Sequence, residues 1–265
     1  AIEHQKHSEY TRDEVTEFIQ GYKDTVTGIK ELHDRNVLEV KFSALTNTEV
    51  LRKYTTGQKT LMNVIRSIPT TPQGKCFETF LKNFKVIGFE FSESEIEEIK
   101  SHLKVENGYF SANTWSAYAH VFGISNTCKA FARVSGFNEE DLDNLKFLSN
   151  GLHEIISHCK ANNTRVLLDA EQTYLQHALH SLSEQFCTMY NFKSKAICFN
   201  TVQNYLKESP LFVQEEIDKC KALNLPLALK LVRGAYMVEE TALAAQEGRE
   251  SPIWDNFDLT TASYH

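Results

Sequence analysis

Lys41, Asp169, Asn200, Lys230 and the Arg233-Gly234-Ala235 turn each fall at or near the end of a short apolar run. Lys230 carries the argument furthest. From Leu227 to Tyr236, alternation puts Leu227, Leu229 and Leu231 on one face, which calls for an apolar cover, and Ala228, Lys230 and Val232 on the other. An ammonium on the inner face of a core strand is costly unless an anion or polar group meets it. The position is therefore a candidate for holding a ligand, with Arg233 as a second cation beside it. A strand-end lysine that extends its head to water gives the same pattern. Lys41 ends the run 37–45 in the same way: Val37, Glu39 and Lys41 share one face, and Leu38, Val40 and Phe42 the other.

The elements that must position these residues have a regular rhythm. Residues 10–34 predict an amphipathic cover helix before the strand at 37–45. From residue 139, apolar residues at helical spacing (Leu142, Leu145, Leu148, Leu152, Ile155, Ile156 and Cys159) end at Asn162-Asn163 and lead into the strand 165–169. A helix with Leu175, Ala178, Leu179, Leu182, Phe186 and Met189 precedes the strand 196–201. A third, with Phe212, Val213, Ile217, Cys220 and Leu223, precedes 227–232. Successive strands lie roughly 30 residues apart, the size of a βα unit. A parallel sheet follows, either doubly wound or a (β/α)8 barrel, with ligands at the carboxyl ends of the strands. The absence of GxGxxG after any strand favours the barrel.

Between the first strand and the later units, residues 47–137 read as an all-helical insertion, with helices expected over Leu51 to Ile68, Phe77 to Val86 and Glu93 to Leu103. Its stretch Leu103 to Thr114 is EF-hand-like, with Gly108 as the turn glycine. Leu103, Val105 and Thr114 stand where oxygen ligands belong, so no calcium site is expected. The chain thus parses as 1–46, 47–137 and 138–265. A net charge of -7 in 265 residues argues against a nucleic-acid partner. No run is long enough to span a bilayer. Six cysteines without metal-ligand spacing read as reduced thiols in an intracellular compartment, and no metal is expected.

KFSAL (41–45), LLDAEQTYLQHAL (167–179), FNTVQNYL (199–206) and LKLVRGAYMVEE (229–240), in this order and spacing, resemble proline dehydrogenase of the eukaryotic mitochondrial type. The resemblance implies a distorted (β/α)8 TIM-like barrel that binds FAD and oxidises L-proline to 1-pyrroline-5-carboxylate. It further implies electron transfer to quinone, with peripheral contact at the matrix side of the mitochondrial inner membrane. It assigns Lys41 to the substrate carboxylate, Asp169 to the floor under flavin and substrate, and Lys230, Arg233 and Asn200 to the flavin. Val232, Gly234 and Ala235 approach the cofactor through backbone, and Tyr236 walls its pocket. Gln203 and Thr260 are weaker assignments, the latter near the cofactor tail.

Two departures stand out. Lys230 replaces the arginine of bacterial members, which keeps the charge and loses the planar fork. Val202 stands where the family usually has tyrosine, which points to a different pocket wall there. Four recognisable strands cannot close an eight-stranded barrel, and the family's paired-arginine clamp has no counterpart here. The expectation is therefore a partial barrel, truncated at the carboxyl end. Hydroxyproline dehydrogenase and a non-catalytic half-barrel that binds or dimerises are the alternatives.

Overall fold

A computed structural model describes residues 10–30, 36–111, 122–123, 126–127, 129–192 and 195–265. The chain divides into two compact units, one of Ala1–Leu45 with Asn150–His265 and one of Thr46–Ser149.

Helix α1 (Arg12–Ile29) starts in a capping box. Thr11 Oγ1 accepts the Glu14 N–H, and the Glu14 carboxylate accepts the Thr11 N–H. Its stripe Val15, Ile19 and Val26 is buried, as a cover helix requires. The end expected for it, residues 31–34, lies outside the described residues. Strand β1 (Val37–Val40) buries Leu38 and Val40 and exposes Val37 and Glu39, the alternation expected. It is shorter than the 37–45 run, because Phe42–Ala44 winds into a 3-10 turn right after Lys41.

The unit Thr46–Ser149 begins with α2 (Thr48–Ser67), β2 (Thr70–Thr71), β3 (Gly74–Cys76), α3 (Phe77–Val86), α4 (Glu93–Leu103) and β4 (Tyr109–Phe110). The two-residue strands β5 (Phe122–Gly123) and β6 (Asn126–Thr127) follow, then α5 (Lys129–Ser135). The all-helical reading of this segment needs correction, because β2, β3 and β4 form an antiparallel sheet. These strands are two or three residues long, too short for an alternation to be seen. Gly74 makes the sheet possible: its φ is +115°, and a Cβ there would lie 2.2 Å from Phe110 O. Asn107 and Gly108, both at positive φ, close a tight turn between Glu106 and Tyr109, so the turn glycine of the EF-hand-like stretch serves a strand connection. Thr114 lies outside the described residues. A phenylalanine cluster of Phe77, Phe80, Phe84, Phe110 and Phe131 packs the unit.

Helix α6 (Glu139–Ala161) runs through the unit boundary and ends where Asn163 adopts a left-handed φ of 53°. Then β7 (Arg165–Leu168), α7 (Thr173–Tyr190), β8 (Cys198–Gln203), α8 (Ser209–Leu223) and β9 (Leu229–Val232) alternate, followed by α9 (Met237–Gln246) and α10 (Phe257–Tyr264). The four longer strands make a parallel sheet in the order β1-β7-β8-β9, so the expected α/β class holds, with its units arranged as in a (β/α)8 barrel. Asn191 ties α7 to β8: its Oδ1 accepts the N–H groups of Ile197 and Cys198, and its Nδ2 donates to Cys198 O. Burial pushes the thiols of Cys159 and Cys198 up to about 12, which keeps them protonated as packing groups. Cys128 lies outside the described residues.

Some expectations of burial fail: Leu142 of α6 and Met189 of α7 are exposed, and two elements depart further. Strand β9 is an edge, with Leu231 exposed and Leu229 half-buried; its neighbour Leu227 is 48% exposed. Helix α8 buries Ser209, Glu216 and Lys219, while Phe212, Val213 and Ile217 are only half-buried and Leu223 is exposed. The cause is an ion cluster: Lys219 Nζ donates to Glu216 and lies 3.5 Å from Glu184 of α7. These charges, rather than the apolar stripe, turn the helix toward its neighbour.

Candidate functional site

Register sorts the site residues by face. The pairs Glu39↔Leu167↔Phe199 and Thr201↔Lys230 put Glu39, Leu167, Phe199, Thr201 and Lys230 on one face, together with Gln203 and Val232. Leu38, Val40, Val166, Leu168, Cys198, Asn200 and Val202 occupy the other, against the helices, and all are buried.

The first face bears the charges. Lys230 Nζ donates to Asp169 Oδ1 at 3.1 Å and to Glu39 Oε1. β1 and β9 are three strand spacings apart, about 14 Å in a flat sheet, more than a glutamate and a lysine can bridge. The contact therefore requires the sheet to be concave on this face. Partial burial works to lower the Lys230 pKa. The hydrogen bonds and charges of Glu39 and Asp169 outweigh it, and the ammonium titrates above its ordinary range. Asp169 follows directly on β7, where its N–H donates to Val40 O and its Oδ1 also accepts the Ala170 N–H.

Lys41, exposed at the end of β1, lies in the electrostatic neighbourhood of Tyr22 on α1 and Tyr236 after β9. Burial is the main cause that raises both phenols, and Lys41 pulls them back. The buried Glu171 accepts the Ser43 N–H at 3.0 Å, which pins the turn after Lys41 to the DAEQTY segment. Gln203 donates through Nε2 to Glu171 O (3.0 Å) and Tyr205 OH (2.6 Å). Its Oε1 and the Thr201 Oγ1 are buried with no hydrogen-bond partner among the described residues. Glu240 of α9 accepts the Thr173 N–H and hydroxyl, so a carboxylate caps α7, whose own Gln172 makes no side-chain cap.

Lys41, Asp169, Lys230, Val232 and the half-buried Ala235 and Tyr236 thus gather at one sheet edge; Tyr236 has a left-handed φ of 52° at the start of α9. Asn200 does not join them. It is on the helix-packed face beside His180, whose ring stacks on Phe212 and is pushed down to about 3 by burial first and His177 second. Val202, buried in the same layer, is no wall of the concave face. Arg233 turns outward: it donates to Thr261 Oγ1 at 2.6 Å and lies over the rings of Phe257 and Tyr264 on α10. Thr260 is buried on that helix, which Asn256 caps. Glu39, Tyr22 and Thr201 escaped the sequence reading of the site. For Glu39 a signal existed, since it shares the alternation that singled out Lys41.

The fit to a flavin rests on three observations. The face offers a held ammonium, a buried carbonyl acceptor at Gln203 without a partner, and a turn where Gly234 leaves its backbone open. Gly234 has no left-handed φ, and a Cβ there would meet only Met237 Sδ, at 3.2 Å. The glycine is thus not required by its own surroundings, and a residue without a side chain here fits the close approach of a flat ring system.

Parallel βα units with a paired cation and a glycine turn at the carboxyl edge define an α/β protein of the ligand-binding barrel class. Residues 3–265 match the proline dehydrogenase family, and the chain belongs to it. Proline dehydrogenase 1, mitochondrial, of Drosophila melanogaster is 39% identical over 114 residues, 43% of this chain and 17% of the relative. Hydroxyproline dehydrogenase of Xenopus laevis is 36% identical over 130 residues, 49% of this chain and 28% of the relative. The mitochondrial proline dehydrogenase 1 of Caenorhabditis elegans is 23% identical and aligns over 92% of this chain and 42% of its own length. The chain spans less than half the length of these curated relatives. Among solved structures, a mutant of Bradyrhizobium japonicum proline utilization A matches with a TM-score of 0.50 at 16% identity, over 96% of this chain and 18% of that one. A proline utilization A structure with proline bound in remote sites gives 0.51 at 16%, over 97% and 18%. At such identity the likeness is one of fold.

Proposed function

We propose that this chain supplies the flavin-facing part of an enzyme that oxidises L-proline to 1-pyrroline-5-carboxylate, with FAD as cofactor and quinone as electron acceptor. The observation that carries the reading is Lys230, fixed on the concave face by Asp169 and Glu39. Bound FAD supplies the hydride acceptor. Lys230 provides positive charge where negative charge builds up during the reaction. Gln203 offers Oε1 as an acceptor to a ring N–H, and Gly234 opens the turn to close backbone approach. Val232, Ala235 and Tyr236 complete that side. Lys41, at the same edge, suits the carboxylate of an amino acid. Arg233, whose side chain reaches α10, and Thr260 on that helix suit the cofactor's tail. Asn200 acts on this site indirectly, through the packing of α7 on β8.

The mitochondrial names of relatives support a mitochondrial location, and the substrate and acceptor support peripheral contact with the matrix side of the inner membrane. Among the described residues no helix is long and apolar enough to cross a membrane. Hydroxyproline is the second substrate to test, because a hydroxyproline dehydrogenase matches nearly as well as the proline enzymes. The test is FAD retention after gel filtration, followed by dye reduction with L-proline and with hydroxyproline. Retention and proline-dependent reduction are expected. Retention without reduction by either substrate would make the chain a binding module, and a wild-type chain that keeps no FAD would overturn the reading.

A further inference from the structure

The reading above uses Glu39 only as a second anchor of Lys230, yet its contact crosses the whole concave face. It starts from β1, at one sheet edge, and meets Lys230 of β9, at the other. Asp169 already holds the same ammonium. With Asp169 in place, a second carboxylate is not needed to neutralise Lys230. It makes the group of three net negative, at the point where the proposed chemistry favours positive charge. Glu39 is also half-exposed, at 49% for its side chain, whereas Asp169 is at 15%. The two carboxylates therefore differ in kind. Asp169 is anchored by the Ala170 N–H and sets where the ammonium sits. Glu39 comes in from the solvent side and adjusts how much of its charge remains uncompensated.

We propose that Glu39 is a positioning and charge-tempering residue: it shares Lys230 with Asp169 and weakens the positive field that Lys230 presents to a ligand on the concave face. This rests on the flavin reading for the identity of the ligand and on the geometry alone for the pairing. Glu39→Gln removes the charge and keeps the shape, and Asp169 still holds Lys230. Glu39→Asp keeps the charge on a shorter arm.

Two measurements on the full chain test the proposal separately from the reading. The first needs no flavin. With lysines reductively methylated by a carbon-13 label and Lys230 assigned through Lys230→Arg, E39Q must lower the pH at which the Lys230 signal titrates, and E39D, which keeps the charge at a greater distance, must lower it less. An unchanged titration in E39Q overturns the pairing. The second is a redox titration of FAD bound to the wild type and to E39Q. The ratio of affinities for reduced over oxidised flavin should rise about tenfold in E39Q, the size expected of one partly screened charge, which is a shift of about +30 mV. Bound flavin with an unchanged or more negative potential in E39Q overturns the tempering role alone. If the wild type takes up no flavin, the reading falls and the tempering role falls with it, while the lysine titration still decides the pairing.

Discussion

Replacing Lys219 by methionine isolates the ion cluster that orients α8. The substitution keeps most of the stem volume and removes the ammonium, which leaves the Glu216 and Glu184 carboxylates facing each other without a counter-charge. Lys219 is 4% exposed and Glu216 3%, and the Glu184 side chain is 12% exposed, so solvent screens little. Breaking such a buried pair costs about 3–5 kcal/mol. The loss depends on pH with a definite sign. Burial holds the Glu184 carboxyl well above its usual 4.5, even though Lys219 pulls it down. Without Lys219 it rises further. A carboxyl raised in the folded state contributes stability that is fully present below its unfolded pKa and is lost as pH rises through the folded one. K219M should therefore lose about 3 kcal/mol or more at about pH 8 and clearly less at about pH 5, where the pair takes up a proton. Urea unfolding followed by circular dichroism at the two pH values measures this, with the slope checked for constancy. Adding Glu184→Gln to K219M should restore most of the loss at the higher pH. A K219M protein within about 1 kcal/mol of wild type at pH 8, or one equally weakened at both pH values, would refute the reasoning.

Asn191→Ala removes three hydrogen bonds to buried backbone groups at the entry to β8 and should cost about 3 kcal/mol or more. A change of less than about 1 kcal/mol in urea unfolding would mean that water replaces the side chain without penalty. Gly234→Ala should leave stability within about 1 kcal/mol, since its Cβ meets only the flexible Met237 thioether, while FAD retention falls about tenfold. Equal retention by the variant and the wild type would remove Gly234 from the cofactor's surroundings.

The rhythm of βα units was legible because apolar strands and long amphipathic helices carry strong periodic signals. Phe77–Val86 and Glu93–Leu103 match the expected spans, and the helix expected from Leu51 to Ile68 starts earlier, as Thr48–Ser67, because Asn47 caps it. What could not be read follows from the same physics. β2 and β3, two and three residues long, are held by Gly74's φ and the hairpin at Asn107-Gly108, not by alternation. The burial of Glu216 and Lys219 depends on Glu184, 32 residues earlier than the first of them, a contact that no helical pattern encodes. Leu227 and Leu231 were expected to be covered because they are apolar, yet hydrophobicity in a strand does not say whether it lies at a sheet edge. At the site, Lys230 and Asp169 could be named because their types are improbable in such runs. Glu39 was passed over because, on an outward face, a glutamate is the ordinary residue.

The register gives the motifs a finer grain than their wording. FNTVQ reads as one string, yet successive residues of a strand face opposite layers. Thr201 and Gln203 join Lys230 on the concave face, while Asn200 and Val202 pack beneath the helices. Val202 in place of the family's usual tyrosine is therefore a change in the sheet–helix layer. Its effect reaches the site only through the position of β8, whereas any change at Thr201 or Gln203 acts at the site itself. The same parity explains why one edge can hold a lysine between two carboxylates. β1 and β9 present Glu39 and Lys230 on the same face, and curvature brings the two outer strands within reach of each other. Chemistry in this unit belongs to every second residue of each strand, and the residues between them set the curvature that makes those side chains meet.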